Sequence, residues 1–156
     1  IAEPTCAAMS HATGKEEFSK EEKTVLVFDL GGGTFDVSLV TIEQGLFEVQ
    51  AVAGDTSLGG ERFTQTLAKY CMQQFTAKHG GSGQYQRREL ARLYFQCEDA
   101  KITLTKASSV NINVESFSGN IDLNQTISRS QFEDLNKEWF QSLLVPIERV
   151  LKRACM

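Results

Sequence analysis

The apolar residues of the first third of the chain follow a strand pattern. Residues 24–28, 35–42 and 46–52 are rich in β-branched and aromatic side chains, which is typical of strands. Residues 43–45, Glu-Gln-Gly, lie between the second and third of these stretches and predict a tight turn. We therefore expect a three-stranded antiparallel meander.

Helical spacing of apolar residues predicts helices on both sides of this meander. A short helix is expected over Thr5–Ala12, followed by a charged, loop-like connector over 14–23. A second helix follows Gly60 and ends in glycine-rich residues 80–83, and a third covers about 84–104. The apolar stripe of the second helix consists of Phe63, Leu67, Tyr70, Cys71 and Phe75, and that of the third of Leu90, Leu93, Tyr94, Cys97, Ala100 and Leu104.

The C-terminal third predicts a hairpin and then a helix. Residues 110–114 and 121–127 alternate between apolar and polar around a Gly-Asn turn at 119–120. We therefore expect these two stretches to form a hairpin.

The expected last helix begins at Ser130, which forms a capping-box pattern with Glu133. Its buried stripe consists of Phe132, Leu135, Trp139, Leu143, Ile147, Val150 and Leu151. Since Pro146 lacks a backbone donor, we expect it to bend or interrupt this helix.

The length of the chain is enough for one domain core, and its charge pattern indicates no surface that binds nucleic acid or a membrane. The chain has 156 residues and a net charge of −4, with both signs interspersed and no basic stripe. No apolar run approaches the roughly 20 residues that span a bilayer. The chain starts at Ile1 and stops at Met156 directly after a helical pattern. We therefore expect it to be a piece of a longer protein.

The four cysteines are far apart and form no Cys-x-x-Cys pair, and the chain has only two histidines. This spacing argues against a zinc site. Cys71 and Cys97 lie on the apolar helix stripes, so we expect buried, reduced thiols, with a redox-sensing thiol as the alternative.

A glycine-rich loop between the first two strands predicts a phosphate-binding hairpin. Residues 31–33 are all glycine, Thr34 adds a hydroxyl donor, and Asp29 and Asp36 flank the loop. Glycine permits positive φ and lets backbone N–H groups approach an anion. Asp29 is placed to hold a hydrated Mg²⁺ ion, and Asp36 to support that metal or a water. The alternative is an ordinary glycine-rich turn, since no helix follows as the common nucleotide motifs require.

A second candidate set lies near the end of the third predicted helix. Glu98, Lys101 and Thr105 are spaced to share one side of that helix, so their side chains can converge on one polar ligand. From the spacing alone, a surface ion pair followed by a C-terminal hydroxyl explains the same residues.

Several segments resemble, in the correct order, the ATPase domain of the seventy-kilodalton heat-shock chaperone family. They are Ile1–Thr5, Phe28–Asp36, Ala53–Glu61, Cys97–Lys101, and Gly119–Asp122 followed by Ser128 and Arg129. Departures from the family pattern occur at Ala2, at His11 with Ala12, and at Ser57.

The resemblance implies a mixed α/β fold, namely the second lobe of an actin-like ATPase domain. This lobe contains part of the sheet of a base subdomain and a small α/β capping subdomain. The implied boundaries are 1–59 for the base, 60–129 for the small subdomain, and 130–156 for a helix that returns to the base.

The resemblance also implies site roles for ATP or ADP with Mg²⁺, bound in the family between two lobes. The implied catalytic positions are Asp29, Thr34, Asp36 and Glu3, with Asp29 holding Mg²⁺ through water. The implied cofactor-binding positions are Gly31, Gly32, Gly33, Thr34, Gly60, Glu98, Lys101 and Thr105. Glu98 and Lys101 would contact the base and ribose, and Thr105 replaces the family's usual serine.

The implied function is ATP binding and hydrolysis coupled to binding and release of unfolded polypeptides through a domain outside this chain. J-domain cochaperones and nucleotide exchange factors are the implied partners. The expected compartment is the cytoplasm, with the nucleus as an additional location and an organelle as the alternative. Because the first-lobe phosphate loop, its lysine and a Gly-Gly-Ser-Thr-Arg loop lie outside these residues, we expect negligible hydrolysis by the chain alone.

Two alternatives accompany this interpretation. One is a truncated, non-catalytic copy that acts as an interaction module for cochaperones or exchange factors. The other is a sugar kinase or filament protein of the same fold. Segments 54–61 and 97–101 favour the chaperone family over these last two classes.

Overall fold

The computed structural model describes residues 3–12, 22–81 and 83–155, and the chain forms two compact units. The first unit comprises residues 1–60 and 140–156, and the second comprises residues 61–139. Residues 14–21 of the predicted charged connector (14–23) lie outside the described residues. Helices and antiparallel strands occur in both units, so the predicted mixed α/β class is confirmed.

The first unit contains the predicted meander. Its strands are β1 (Lys23–Leu30), β2 (Phe35–Glu43) and β3 (Leu46–Asp55), hydrogen-bonded in the antiparallel order β1-β2-β3. Gln44 and Gly45 connect β2 to β3 with φ of 48° and 82°. Two consecutive positive φ values match the right-handed twist of the strands, which explains a glycine in this turn.

Helices cover the sheet of the first unit. Helix α1 (Glu3–Ala12) buries Ala8 and Ala12 against Val40 and Ile42 of the central strand β2. Helix α6 (Leu144–Arg153) contacts β2 and β3 and buries Val150 completely. Because β2 is covered in this way, it is buried at most of its positions, whereas the two edge strands are only partly buried.

The second unit is built on helices α2 and α3 and a hairpin. The elements are α2 (Gly60–His79), α3 (Arg87–Thr103), β4 (Ser109–Ser118), β5 (Ile121–Ser128), α4 (Arg129–Leu135) and α5 (Lys137–Ser142), of which α5 extends past residue 139. Phe75 and Phe117 pack edge to face at 5.1 Å between ring centroids, which joins α2 to β4. Cys71 and Cys97 are buried, as their apolar stripes predicted.

The last predicted helix is wrong in its start and its continuity. The helical segment begins at Arg129, because the Ser128 hydroxyl accepts from the Gln131 backbone N–H at 3.1 Å and the Gln131 side chain accepts from Ser128 N–H. Ser128 and Gln131 thus form the capping box that was expected of Ser130 and Glu133.

The predicted single helix is also divided into α4, α5 and α6, with breaks at Asn136 and Leu143. Pro146 lies in the first turn of α6, where a backbone N–H has no intrahelical acceptor. The interruption therefore precedes Pro146 instead of occurring at it.

The division into units follows different residues from the subdomain boundaries inferred above. Residues 130–139 group with the second unit by their contacts. The assignment of 130–156 to a base subdomain stays a prediction. Among the described residues, no helix has both the length and the apolar character that a membrane span requires.

Candidate functional site

The glycine-rich loop of the first unit is closed by two backbone hydrogen bonds. Gly31 N–H donates to the Thr34 carbonyl at 2.9 Å, and Gly60 N–H donates to the Gly31 carbonyl at 3.0 Å. None of the loop glycines has a left-handed φ, so the expected use of positive φ does not explain them. The loop and its backbone groups are exposed at the end of the β1–β2 hairpin.

Close approach of a second glycine explains the small residues here. A Cβ atom on Gly59 would lie 2.7 Å from the carbonyl carbons of Gly32 and Gly33, which real contacts do not permit. By contrast, a Cβ atom on Gly32 or Gly33 would meet nothing within 4 Å. Gly59 therefore packs directly against the backbone of Gly32 and Gly33, while the space beside their own Cα atoms stays open. The sequence analysis did not assign this role to Gly59.

Three predicted acidic residues line one cavity in the first unit. Asp29 and Asp36 are direct cross-strand partners at the ends of β1 and β2. A cavity of about 370 Å³ is lined by both of them and by Glu3, the first residue of α1, together with apolar side chains that include Val27 and Phe28. The structure thus places Glu3 on the same cavity as Asp29 and Asp36, from which it is far apart in sequence.

These carboxylates fit Mg²⁺ held through water. Mg²⁺ prefers oxygen ligands and keeps several of its waters, so it needs few direct protein ligands. Within the described residues, no three His, Cys, Asp or Glu side chains are close enough to ligate one metal ion directly. The donor chemistry suits a hydrated cation between the carboxylates and a phosphate.

Gly54 leaves room for one of these carboxylates. It pairs with Asp36 across β2 and β3, and a Cβ atom on it would overlap the Asp36 carboxylate and lie 2.7 Å from the Phe35 carbonyl oxygen. This position was also missed, although a single glycine inside a strand pattern is a known signal of close approach.

The second unit contains the predicted pair Glu98 and Lys101 on α3. The Lys101 ammonium donates to the Glu98 carboxylate at 2.8 Å, and the Thr64 hydroxyl of α2 donates to the same oxygen at 2.6 Å. Burial by itself raises the pKa of Glu98, but the hydrogen bonds from Lys101 and Thr64 outweigh burial and hold that pKa below its ordinary value.

Thr64 is fully buried and was not predicted as part of this set. It shares the inward face of α2 with Leu67 and Ala68, so the signal was a polar residue on an apolar stripe. A buried hydroxyl needs a partner, and here the partner is a carboxylate of the neighbouring helix.

Thr105 does not follow the helical spacing that grouped it with Glu98 and Lys101. Helix α3 ends at Thr103, and the Thr105 hydroxyl donates to the Ile102 carbonyl at 2.7 Å in the turn that follows. In this structure, the hydroxyl closes the helix terminus, as the alternative interpretation of the spacing described.

Comparisons with known proteins agree on one family. A family model described as "Hsp70 protein" matches residues 1–156. The chain is 46% identical over 154 residues to "Heat shock 70 kDa protein 2" of Paracoccidioides lutzii, covering 99% of the chain and 23% of that relative. It is 45% identical to "Heat shock 70 kDa protein" of Penicillium citrinum, covering 99% of the chain and 30% of the relative. It is 43% identical to "Heat shock cognate 70 kDa protein 3" of Dictyostelium discoideum, covering 97% of the chain and 24% of the relative. The chain thus spans about a quarter of the length of the first and third of these relatives and 30% of the second.

Proposed function

The chain belongs to the Hsp70 family, and from this premise we propose that its first unit binds the phosphates of ATP or ADP together with Mg²⁺. The observation that carries the proposal is the cavity lined by Glu3, Asp29 and Asp36, beside an exposed loop of small residues. Three carboxylates on one cavity repel each other, and a hydrated divalent cation relieves that repulsion while attracting phosphate.

In this proposal the loop contributes backbone donors. Gly32, Gly33 and Thr34 present N–H groups and one hydroxyl to the phosphates, because the space that a Cβ atom on Gly32 or Gly33 would occupy is open. Gly31 shapes the loop beside the phosphates, since its own N–H donates to the Thr34 carbonyl. Gly60 fixes the loop through its hydrogen bond to Gly31. Catalysis of phosphoryl transfer depends mainly on such positioning and on charge neutralisation.

The second unit is proposed to contact the adenosine part of the nucleotide. Glu98 accepts from Lys101 and Thr64 in the structure, so its carboxylate is already oriented and ionised to accept from a ribose hydroxyl. Lys101 adds a donor. Thr105 stays a proposed contact only if its hydroxyl leaves the Ile102 carbonyl on binding.

For the longer protein we propose an ATP-driven chaperone. Its activity would couple nucleotide state to binding and release of unfolded polypeptides. Its partners would be J-domain cochaperones and nucleotide exchange factors, and it would act in the cytoplasm or the nucleus. The present chain contains one phosphate loop and part of a nucleotide site, so we propose that it hydrolyses ATP negligibly by itself. Efficient Mg²⁺-dependent turnover that Asp29→Ala abolishes would contradict this.

Calorimetric titration with ADP tests the binding proposal. We expect binding to the 156-residue chain with Mg²⁺ and at least tenfold weaker binding without it or in Asp29→Asn. Glu43→Gln is the matched control, because Glu43 is an exposed carboxylate at the opposite end of β2. Equal affinities for the two variants would overturn the assignment of Asp29.

Binding of pyrophosphate, which lacks adenosine, distinguishes the proposed phosphate site from the proposed adenosine contact. If the second unit contacts adenosine, Glu98→Gln weakens ADP binding and leaves Mg²⁺-pyrophosphate binding unchanged. If Glu98 forms only a structural ion pair, the variant changes neither affinity, and the adenosine assignment is withdrawn.

A second candidate function is a docking module for an exchange factor. It is favoured by a groove of about 490 Å³ between α3 and β4, lined by Arg88, Arg92 and Phe95, of which Phe95 is 63% exposed. An exposed aromatic ring beside arginines is typical of protein interfaces. Loss of exchange-factor binding in Phe95→Ala with unchanged ADP binding would support this function, and unchanged exchange-factor binding would remove it.

A further inference from the structure

Thr64 places a hydroxyl on an otherwise apolar face of α2. It is completely buried and shares this face with Leu67 and Ala68. A valine would fill almost the same space, and burial of a hydroxyl is costly unless that hydroxyl is hydrogen-bonded. The Thr64 hydroxyl donates to Glu98 Oε2 at 2.6 Å. Its presence therefore indicates a role at the Glu98 carboxylate that packing alone does not explain.

The donors to Glu98 converge on one of its two oxygens. Lys101 donates to Oε2 at 2.8 Å, as Thr64 does, and no other residue that the structure describes donates a hydrogen bond to Glu98. A carboxylate accepts through both oxygens, so Oε1 keeps its capacity for a donor from a ligand. The Glu98 side chain is 38% exposed and is therefore accessible to such a ligand.

The two donors differ in how firmly they hold the carboxylate. Lys101 lies on the same helix as Glu98 and carries its ammonium on a flexible four-carbon chain. Thr64 belongs to a different helix, and its β-branched side chain has few rotamers in a helix. Thr64 therefore fixes the carboxylate relative to α2, whereas Lys101 mainly supplies opposite charge.

We propose that Thr64 is a positioning residue of the adenosine contact: its hydroxyl fixes Glu98 through Oε2, so that Oε1 accepts from a ribose hydroxyl. This inference rests on the adenosine contact proposed above for the second unit. Because Thr64 is buried, it acts on the ligand through Glu98. Without its hydroxyl, the carboxylate occupies more orientations, and a ligand that must order it binds more weakly.

The charges around Glu98 make this positioning measurable without a ligand. Burial raises the pKa of Glu98, but the hydrogen bonds from Lys101 and Thr64 hold that pKa below its ordinary value. Tyr94, on the same helix, also interacts with Glu98. Burial, followed by the neighbouring acidic groups, raises the pKa of Tyr94, so it stays uncharged at neutral pH. Loss of the Thr64 donor should therefore raise the pKa of Glu98.

Calorimetric titration of two Thr64 variants tests the proposal. Thr64→Val keeps the shape and removes the hydroxyl, whereas Thr64→Ser keeps the hydroxyl and removes a methyl group. With Mg²⁺, Thr64→Val should bind ADP about threefold to tenfold more weakly than the unchanged chain, and Thr64→Ser should bind it nearly as well. Pyrophosphate should bind all three equally. In a Glu98→Gln background, Thr64→Val should cause no further loss of ADP affinity.

Carbon-13 NMR of the Glu98 carboxyl separates this proposal from the proposed function, with circular dichroism as the check of folding. Without ligand, the pKa of Glu98 should be higher in Thr64→Val than in Thr64→Ser. Equal pKa values would overturn the proposal whether or not nucleotide binds. Equal ADP affinities of Thr64→Val and the unchanged chain would overturn it and leave the proposed function standing. Failure of the unchanged chain to bind ADP would overturn both.

Discussion

The two candidate sites differ in how their charged groups are compensated. In the first unit, Asp29 and Asp36 are direct partners across two strands, and neither forms an ion pair with another residue that the structure describes. In the second unit, Glu98 already accepts from an ammonium and a buried hydroxyl. We therefore propose that the first site needs an added cation, whereas the hydrogen bonds of Glu98 are already present. A loss of packing or of a preformed hydrogen bond should affect folding, and a loss of carboxylates in the first site should affect ligand response.

The largest effect is expected behind the glycine loop. Gly59→Val should destabilise the chain by about 2–3 kcal/mol or more, because its side chain would overlap the Gly32 and Gly33 backbone. Urea unfolding measures this. Gly33→Ala is the control, since its Cβ has free space, and should change stability by less than about 1 kcal/mol. Similar losses in both variants would contradict the packing argument.

The next largest effect is expected at the buried hydroxyl. Thr64→Val keeps the shape of the side chain but removes a donor to the partly exposed Glu98 carboxylate, so we expect a loss of about 1–2 kcal/mol in unfolding free energy. Thr103→Val, at an exposed position on α3, serves as the matched control. If the two variants unfold alike, Thr64 contributes packing alone.

A smaller effect of opposite sign is expected in the first unit. Asp36→Asn should stabilise the metal-free chain by about 0.2–1 kcal/mol, because it removes a like charge directly opposite Asp29. It should also abolish any rise in melting temperature on adding Mg²⁺. Thermal unfolding with and without Mg²⁺ measures both changes, and Glu43→Gln should retain the Mg²⁺ response. An Asp36→Asn chain that still responds fully would remove Asp36 from the metal site.

The smallest effect is a pH dependence at Glu98. Its pKa is lowered in the folded chain, so its stabilising contribution is complete above the unfolded carboxyl pKa of about 4.3 and is lost as pH falls through the folded value. The Glu98 side chain is 38% exposed, so the contribution should stay below about 1 kcal/mol. The stability difference between the chain and Glu98→Gln should shrink on acidification from pH 7. A difference that grows instead would show that folding raises the pKa of Glu98, which contradicts the prediction.

The order of apolar and polar residues along the chain predicted most of the helices and strands. The meander was predicted from β-branched and aromatic residues, and the helices carrying Phe63 and Leu93 from helical spacing, and the structure contains them. The start of α4 could not be settled in this way, because Ser128 and Ser130 both precede a Glu or Gln by three residues. In the structure, Ser128 has the extended backbone of an N-cap residue and its hydroxyl accepts from Gln131 N–H, so the helix starts directly after it.

The candidate sites were predictable only where neighbours in sequence determine them. The loop and its flanking aspartates lie within eight residues of sequence. Glu3 lines the same cavity as Asp29 only because α1 packs against the sheet. Gly59 and Thr64 were missed because their roles arise from contacts with residues that are distant in sequence. Thr105 was misplaced because the helical period was extended past the end of α3.

Backbone amide chemical shifts during titration with Mg²⁺-ADP test the central claim most directly. The proposal predicts saturable shifts at Gly32, Gly33 and Thr34 that require Mg²⁺ and vanish in Asp29→Asn. Saturating Mg²⁺-ADP that leaves these three amides unchanged would contradict a phosphate role for the loop.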